Sequence, residues 1–544
     1  MAAILNVALK HNPHLAKYLR EYEAKAKAMP KFVEALSKDI GNEPQIDILY
    51  PVGDPIFVHV YGSKTTGKSY NAIEPLPARE LMPLYESLLD QIIIKSAEKP
   101  THSNNKEFEK VIDDILEETV HITKNPDHTK LPKGVSSKSK KIELTSKEFD
   151  AIEYYLKRNV IESGLIEPLL RDPYIEDIHC IALRPISLIH KVFGAISTNI
   201  RFETPEELEK YVKIMSERIG KPATMTRPII DGALQDGSRI NIIYASDVSI
   251  GGPSFTIRKF ATEPISIIQL IKWGTLSTLE AAYLWTCLEN GMAVFVCGET
   301  ASGKTTLLNA MFPFIRYDQK VYTAEDTLEV QPPHKVWQQL STREFGPEES
   351  RVDTFSLLKT ALRSRPNYIV VGEIRGKEGN VAFQAMQAGL PVMATFHASS
   401  IKRMIQRFAG NPILVPITSM DSLNVAVFLA GIYRKGRFMR RLISIDEILG
   451  FNAKMGGVMT RSVFVWNPTS DEQIFRGMNN SYVLEEKIAT KLGYKDKRRI
   501  YADLQTKQKI LEKMTEMNII SSRDFNEVMI SYQKEGIEGL PFSL

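Results

Sequence analysis

The chain is poor in cysteine, with only Cys180, Cys287 and Cys297 among 544 residues, far apart and each in an apolar setting. That spacing excludes a disulfide framework and a multi-cysteine metal site, and reads as reduced core residues. Long apolar runs are lacking too. Leu423 to Ile432 is about half the ~20 residues that span a bilayer, so membrane association is expected to be peripheral. Met1 to Lys10 lacks the apolar region of a signal peptide, which points to a cytoplasmic location. A surplus of one charge is also missing. Lys+Arg number 69 against 65 Asp+Glu, a net +4, and no basic stripe interleaved with aromatics is visible, so no nucleic-acid partner is expected. A Leu-Ser-Gly-Gly-Gln segment does not occur. What remains is an ordinary globular composition, 43% hydrophobic and 25% charged, on a chain long enough for three or more domains.

The chain is organised around residues 294–309. Val294 to Cys297 reads as a buried strand, Gly298 to Thr305 matches G-x-x-x-x-G-K-T, and Leu307, Leu308 and Met311 begin a helical pattern. Strand, glycine loop and helix together form a phosphate-binding loop: backbone N–H groups close on phosphate oxygens, helped by the helix N-terminus. Gly298, Glu299, Thr300, Ala301, Ser302, Gly303, Lys304, Thr305 and Thr306 would hold the nucleotide. Lys304 would reach the β- and γ-phosphates, and Thr305 would ligand Mg²⁺.

A second match, Gly62-Ser-Lys-Thr-Thr-Gly-Lys-Ser69, follows the alternating runs Ile46–Tyr50 and Ile56–Tyr61. Pro75 and Pro77 stand close behind it, so no useful helix starts there, and a hairpin connection is expected. Elsewhere, residues 1–45 read as a helical unit, with Leu15, Leu19, Phe32, Val33 and Leu36 at helical spacing and a lysine-rich polar face. Residues 46–120 read as a small α+β unit and 121–143, rich in lysine, serine and proline, as a linker. Residues 144–262 read as a second α+β domain opened by a capping box at Thr145 to Glu148. Within it, Asp236-Gly-Ser-Arg239 before a strand is a tight turn. That turn is either simply a hairpin or a means of presenting Arg239 to phosphates, and spacing leaves both open. Residues 263–450 read as the core that carries the phosphate-binding loop, and 451–544 as a strand and helix extension with a basic run, Lys495 to Arg499.

The core holds three more polar strand ends. Val321 to Glu325 runs into Asp326 and Glu329; Tyr368 to Val371 runs through Gly372 to Glu373; and Pro391 to Thr395 runs to His397. Each is weak alone, but open α/β sheets bind ligands at the carboxyl edge of their strands, so their succession after a phosphate loop converges on one site. The fold class is α/β multidomain, with a P-loop core preceded by an α+β domain and a helical N-terminal region.

These four boxes resemble the RecA-like hexameric ATPases of type II and type IV secretion, type IV pili and the archaellum. The resemblance covers roughly residues 150–450. The archaeal branch is the better match, through Tyr50-Pro-Val-Gly-Asp-Pro55, Gly251 to Phe260, Val465-Trp-Asn-Pro468 and Gly536 to Pro541. Three scattered cysteines cannot build the four-cysteine zinc module common in the bacterial branch. The resemblance implies ATP and Mg²⁺ as cofactors. It implies Glu329 as the residue that positions or deprotonates the attacking water, Glu373 as the Walker B acid acting on Mg²⁺ directly or through water, and His397 as the γ-phosphate sensor. Arg239 and Arg258 match arginines that the preceding domain brings to the nucleotide. It also implies a homohexamer, a polytopic membrane platform protein, a pilin- or archaellin-like filament, and a place on the cytoplasmic membrane face. A nucleic-acid or conjugative DNA-transfer motor on a related core is the alternative. Asn367 departs from the usual Asp, which leaves a turn or capping role.

Overall fold

The computed structural model describes residues 2–36, 40–41, 43–63, 65–97, 105–128, 141–245, 247–260, 263–343, 347–434 and 437–544. Most of the expected linker, 129–140, lies outside them. The chain divides into two compact units, residues 1–260 and 261–544.

The first unit is built on one ten-stranded sheet. In order across the sheet its strands are Lys31–Phe32, Gln45–Pro51, Phe57–Ser63, Gly67–Ile73, Gly194–Thr198, Ser187–His190, Ile175–Ile181, Ser254–Arg258, Arg239–Ile243 and Ile229–Ala233. The strands expected for 46–120 and for 144–262 are therefore not separate sheets. They join where Ser69 and Tyr70 pair in parallel with Ser197 and Thr198. Beneath the junction, the hydroxyls of Tyr50 and Tyr70 donate to buried Asp172 Oδ2 at 2.7 and 3.0 Å. Such long-range closure leaves no mark in local periodicity.

The helical reading of Phe32 to Leu36 also needs correction. Helices Ala2–His11 and Pro13–Ala26 form, but Lys31–Phe32 adds to the sheet edge in parallel with Ile48 and Leu49. Phe32 is buried with Leu15, Leu19 and Leu49, a contact that an extended segment after Pro30 satisfies as well as a helix. The capping box at Thr145 and Glu148 starts helix Ser146–Val160 with both reciprocal hydrogen bonds.

The second unit centres on a nine-stranded sheet in the order Trp337–Ser341, Val321–Glu325, Tyr368–Ile374, Val392–Phe396, Val294–Gly298, Val425–Arg434, Arg437–Asn452, Gly457–Asn467 and Glu472–Phe475. The first six run parallel and the last three antiparallel. Val294–Gly298 is wholly buried because both faces are covered. Val294 and Val296 join a core with helices Thr278–Glu289, Lys304–Met311 and Ile500–Glu516. Phe295 and Cys297 join a second core with helices Thr354–Ser364, Glu378–Gln387 and Ile401–Ala409. Helices on both faces of a parallel sheet make this a RecA-like P-loop core. Residues 451–544 are not a separate body within it. Gly457–Asn467 belongs to the same sheet, and Ile510, Leu511, Phe525 and Met529 belong to the same core as Trp285.

Candidate nucleotide site

Six parallel strands bring their carboxyl ends to one edge, and the polar strand ends read from the sequence meet there. The loop after Val294–Gly298 turns through left-handed backbone at Ala301 (φ 63°) and Gly303 (φ 94°), then enters helix Lys304–Met311. Gly303 caps the helix without any side-chain acceptor, so the first helical N–H groups keep no side-chain cap. Gly298 is required by crowding: a Cβ there would lie 2.5 Å from both Leu429 O and Ser302 Oγ. Glu299, Thr300 and Ala301 are exposed, Thr305 and Thr306 are half-buried, and Ser302 and Lys304 are buried.

Lys304 Nζ donates to Glu299 O at 2.9 Å and lies 3.4 Å from His397 Nδ1. An ammonium only donates, so Nδ1 is the acceptor and the proton of His397 sits on Nε2. That nitrogen lies 3.0 Å from Glu373 Oε1. Lys304, His397 and Glu373 thus form one chain of polar contacts from the P-loop past the strand Val392–Phe396 to the strand Tyr368–Ile374. Burial and the nearby Lys304 charge hold the imidazole below its ordinary value, and therefore neutral. Burial also lowers the Lys304 ammonium, opposed by the carboxylates of Glu373 and Glu329. Among the described residues Lys304 makes no ion pair. Burial would raise the Glu373 carboxyl, but Arg375 at 2.6 Å, with His397 and Lys304, outweighs it and holds the carboxylate ionised.

The acidic loop after Val321–Glu325 is organised by Glu325 itself. Its Oε1 accepts the backbone N–H groups of Glu329 and Val330, both at 2.9 Å. Its Oε2 is buried with no hydrogen-bond partner among the described residues, and burial pushes the carboxyl up to about 8. A Cβ on Gly372 would meet Glu325 Cγ at 3.0 Å, so the glycine leaves room for this side chain. Asp326 accepts from the Thr354 hydroxyl at 2.7 Å. Thr395 Oγ1 donates to Gly372 O at 2.5 Å, tying the histidine strand to the Glu373 strand.

Several contributors escaped the sequence reading. Asn309 Nδ2 donates to Glu329 O at 2.9 Å and its Oδ1 accepts from Gln331 N at 2.8 Å, pinning the Glu329 loop to the P-loop helix. A polar residue within the apolar helix after Lys304 was the available signal. Arg375 had none beyond its charge. Asn367 Oδ1 accepts from Lys320 N at 2.8 Å, a bond between residues distant in sequence in place of the local turn or capping role expected.

Arg239 and Arg258 lie in the first unit, directly opposite one another on adjacent antiparallel strands. The turn before Arg239 is the expected hairpin, closed by Gly237 (φ 84°) and by Asp236 accepting from Ser238 N and Oγ. Arg258 pairs with Asp177 at 3.1 Å, whereas Arg239 makes no ion pair among the described residues. The loop Gly62–Ser69 is a hairpin between two strands, with Ser63 opposite Gly67.

The family model described as type II/IV secretion system protein matches residues 162–422. An uncharacterized Methanocaldococcus jannaschii protein, MJ0900, is 48% identical over 544 residues, 100% of this chain and 99% of that protein. The conjugal transfer protein TrbB of Rhizobium radiobacter is 30% identical over 255 residues, 45% of this chain and 76% of that protein. Among solved structures, the Legionella pneumophila ATPase DotB is 18% identical, covering 67% of this chain and 94% of that one with a TM-score of 0.38. On the family match and the breadth of these relatives, the chain belongs to the type II/IV secretion system protein family.

Proposed function

We propose that the chain is an Mg²⁺-dependent ATPase of a hexameric motor that drives assembly of a type IV pilus-like filament or archaellum, or secretion. The observation that carries this reading is the Lys304–His397–Glu373 chain of contacts on a left-handed glycine loop at the carboxyl edge of the sheet. Lys304 would bind the β- and γ-phosphates, and neutral His397, already in contact with it, would report the γ-phosphate to Glu373. Glu329, held by Glu325 and Asn309, would orient the attacking water.

The donor set suits Mg²⁺ better than a metal caged by protein. No cluster of three or more His, Cys, Asp or Glu capable of holding a metal occurs among the described residues, and Mg²⁺ is commonly held by one or two protein groups plus phosphate oxygens. Thr305 and the ionised Glu373, directly or through water, are the groups for it. When bound it would neutralise charge on the phosphate oxygens.

Arg239, which makes no ion pair among the described residues, is a better candidate than Arg258 for an arginine delivered to the phosphates. Such an arginine would couple hydrolysis to domain movement. A filament motor would need a polytopic membrane platform protein and pilin- or archaellin-like subunits, and would work peripherally on the cytoplasmic membrane face. No helix among the described residues is long and apolar enough to cross a membrane.

The alternative, a conjugative DNA-transfer motor, is supported by the likeness to TrbB over 45% of the chain. Mg²⁺-ATP hydrolysis by the full chain, measured with single-stranded DNA and with vesicles of anionic lipid, separates the two. Stimulation by vesicles alone supports the filament motor, and stimulation by DNA alone replaces it with the alternative. Arg239→Ala should lower turnover by about 10³-fold with ATP affinity kept; near-normal turnover removes this arginine from the mechanism.

A further inference from the structure

The hairpin formed by Val425–Arg434 and Arg437–Asn452 flanks the phosphate loop from the side away from His397 and Glu373. The sheet order requires this, because Val392–Phe396 pairs with one edge of the P-loop strand and Val425–Arg434 with the other. The P-loop strand ends where Gly298 pairs with Leu429. The hairpin continues past that point, with Ala430 opposite Arg441 and Gly431 opposite Arg440.

The two adjacent arginines have different surroundings. Arg441 is buried, and its Nε and Nη2 hold Asp471 Oδ1 and Oδ2 at 2.9 and 3.0 Å. It is a structural ion pair. Arg440 is exposed and has no carboxylate partner among the described residues. Its Nε donates to Ala301 O, a carbonyl of the phosphate loop, at 3.0 Å. Its Cδ lies 3.2 Å from where a Cβ on Gly303 would stand, and its guanidinium lies 5.3 Å from the Phe438 ring centroid. Its Nη1 and Nη2 have no hydrogen-bond acceptor among the described residues. A guanidinium fork matches phosphate oxygens in geometry and charge, and here it is fixed by its Nε on the loop that would hold the phosphates.

We propose that Arg440 is a further phosphate-binding residue of the nucleotide site, supplied by the same chain as the P-loop and from the side opposite His397. The inference rests on the ATPase reading above. It gives the site a cation that needs no neighbouring subunit, distinct in origin from Arg239. The contact with Ala301 fixes the arginine stem, and its remaining donors close over the bound phosphates.

The test is equilibrium binding of ADP and of ATP to the full chain and to Arg440→Met and Arg440→Ala. Methionine keeps an unbranched stem against Gly303 and removes the charge. Both variants should bind ADP and ATP about tenfold more weakly, the size of one lost charge-assisted contact. Their unfolding midpoints without nucleotide should match the parent, because Arg441 and Asp471 are untouched. Wild-type affinity in Arg440→Met with weakened affinity in Arg440→Ala overturns the proposal, since packing would then be the whole role. Unchanged affinity in both overturns it as well. If the parent chain itself binds neither nucleotide, it is the ATPase reading that fails.

Discussion

The molecule contains the same eight-residue pattern twice and uses it for two different things. Gly62–Ser69 and Gly298–Thr305 both read G-x-x-x-x-G-K-[ST]. The first closes a hairpin, with Gly62 opposite Lys68, and Lys68 Nζ donating to Phe193 O at 3.0 Å. The second joins a buried parallel strand to a helix, and its lysine faces a histidine and the carboxylates beyond it. A lysine and two glycines therefore say little until the element that follows them is known. In the first, Gly67 begins a strand that pairs antiparallel with Phe57–Ser63; in the second, the helix leaves its first N–H groups without a side-chain cap.

The largest effect should come from the paired lysine substitutions. Lys304→Ala removes the cation at the centre of the contact chain, and ATP hydrolysis should fall by about 10²–10³-fold or more. Lys68→Ala should leave hydrolysis within about twofold, because its loop offers no helix terminus to a phosphate. Steady-state ATPase assays on the two proteins settle the matter, and the reverse result would exchange the two loops' roles.

Glycine substitutions sharpen the comparison at the level of the backbone. A Cβ on Gly298 would stand 2.5 Å from Leu429 O and Ser302 Oγ, and one on Gly62 (φ 124°) would stand 2.2 Å from Gly67 O. Both alanine variants should lose about 2–4 kcal/mol of stability in the unit concerned. Only Gly298→Ala should also lose nucleotide binding, because Leu429 and Ser302 adjoin the phosphate loop. Comparing urea unfolding with ADP titration for each variant separates fold from site. Loss of ADP binding in Gly62→Ala with its fold intact would show that the first loop does bind nucleotide.

The part of the site legible in the sequence is the part carried by strand ends. Lys304, Glu373 and His397 each follow an apolar run, and a parallel sheet must deliver such residues to one edge. What escaped depends on register between distant strands. Nothing local shows that Gly372 yields space to Glu325, that Asn309 reaches the Glu329 loop, or that Arg440 rather than Arg441 lies against Ala301. The fold has the same limit: individual strands of the first unit were legible from alternation, while their union into one sheet through Tyr70 and Thr198 was not. Phe32 shows a further limit, since three apolar residues after a proline fit a helix and an edge strand equally well.

Glu325→Gln tests a smaller effect, in how the two sides of the active edge handle protons. Glu373 is held ionised, whereas burial raises Glu325 to about 8. An ordinary glutamate in the unfolded chain titrates near ~4.3. Between the two values the folded chain holds a proton that the unfolded chain has released, so this residue's contribution to stability falls as pH rises through that interval. Glutamine keeps the carbonyl oxygen that accepts from Glu329 and Val330 and carries no titrating proton. Relative to the parent, the variant should gain stability between pH 6 and 8 with a slope of up to about 1.4 kcal/mol per pH unit. Glu280, also raised to about 8, is present in both proteins and cancels in the difference. Parallel stability curves would mean that Glu325 is ionised in the fold across this interval.

The smallest effect returns to the hairpin lysine. Lys68 donates to Phe193 O and lies 5.7 Å from the Phe193 ring centroid, so it links the strand Gly67–Ile73 to the turn between Ser187–His190 and Gly194–Thr198. One partly exposed charged hydrogen bond with a distant ring contact contributes about 0.5–1 kcal/mol. Lys68→Ala should therefore lower the first unit's unfolding free energy by that amount, and Lys68→Arg, which can donate to the same carbonyl, should recover most of it. If Lys68→Ala were without any effect on stability, the lysine would lack even a structural role and only Gly62 and Gly67 of that loop would matter. A decrease restored by arginine assigns Lys68 to holding two parts of one sheet together, which is the opposite of what Lys304 does at the edge of the other.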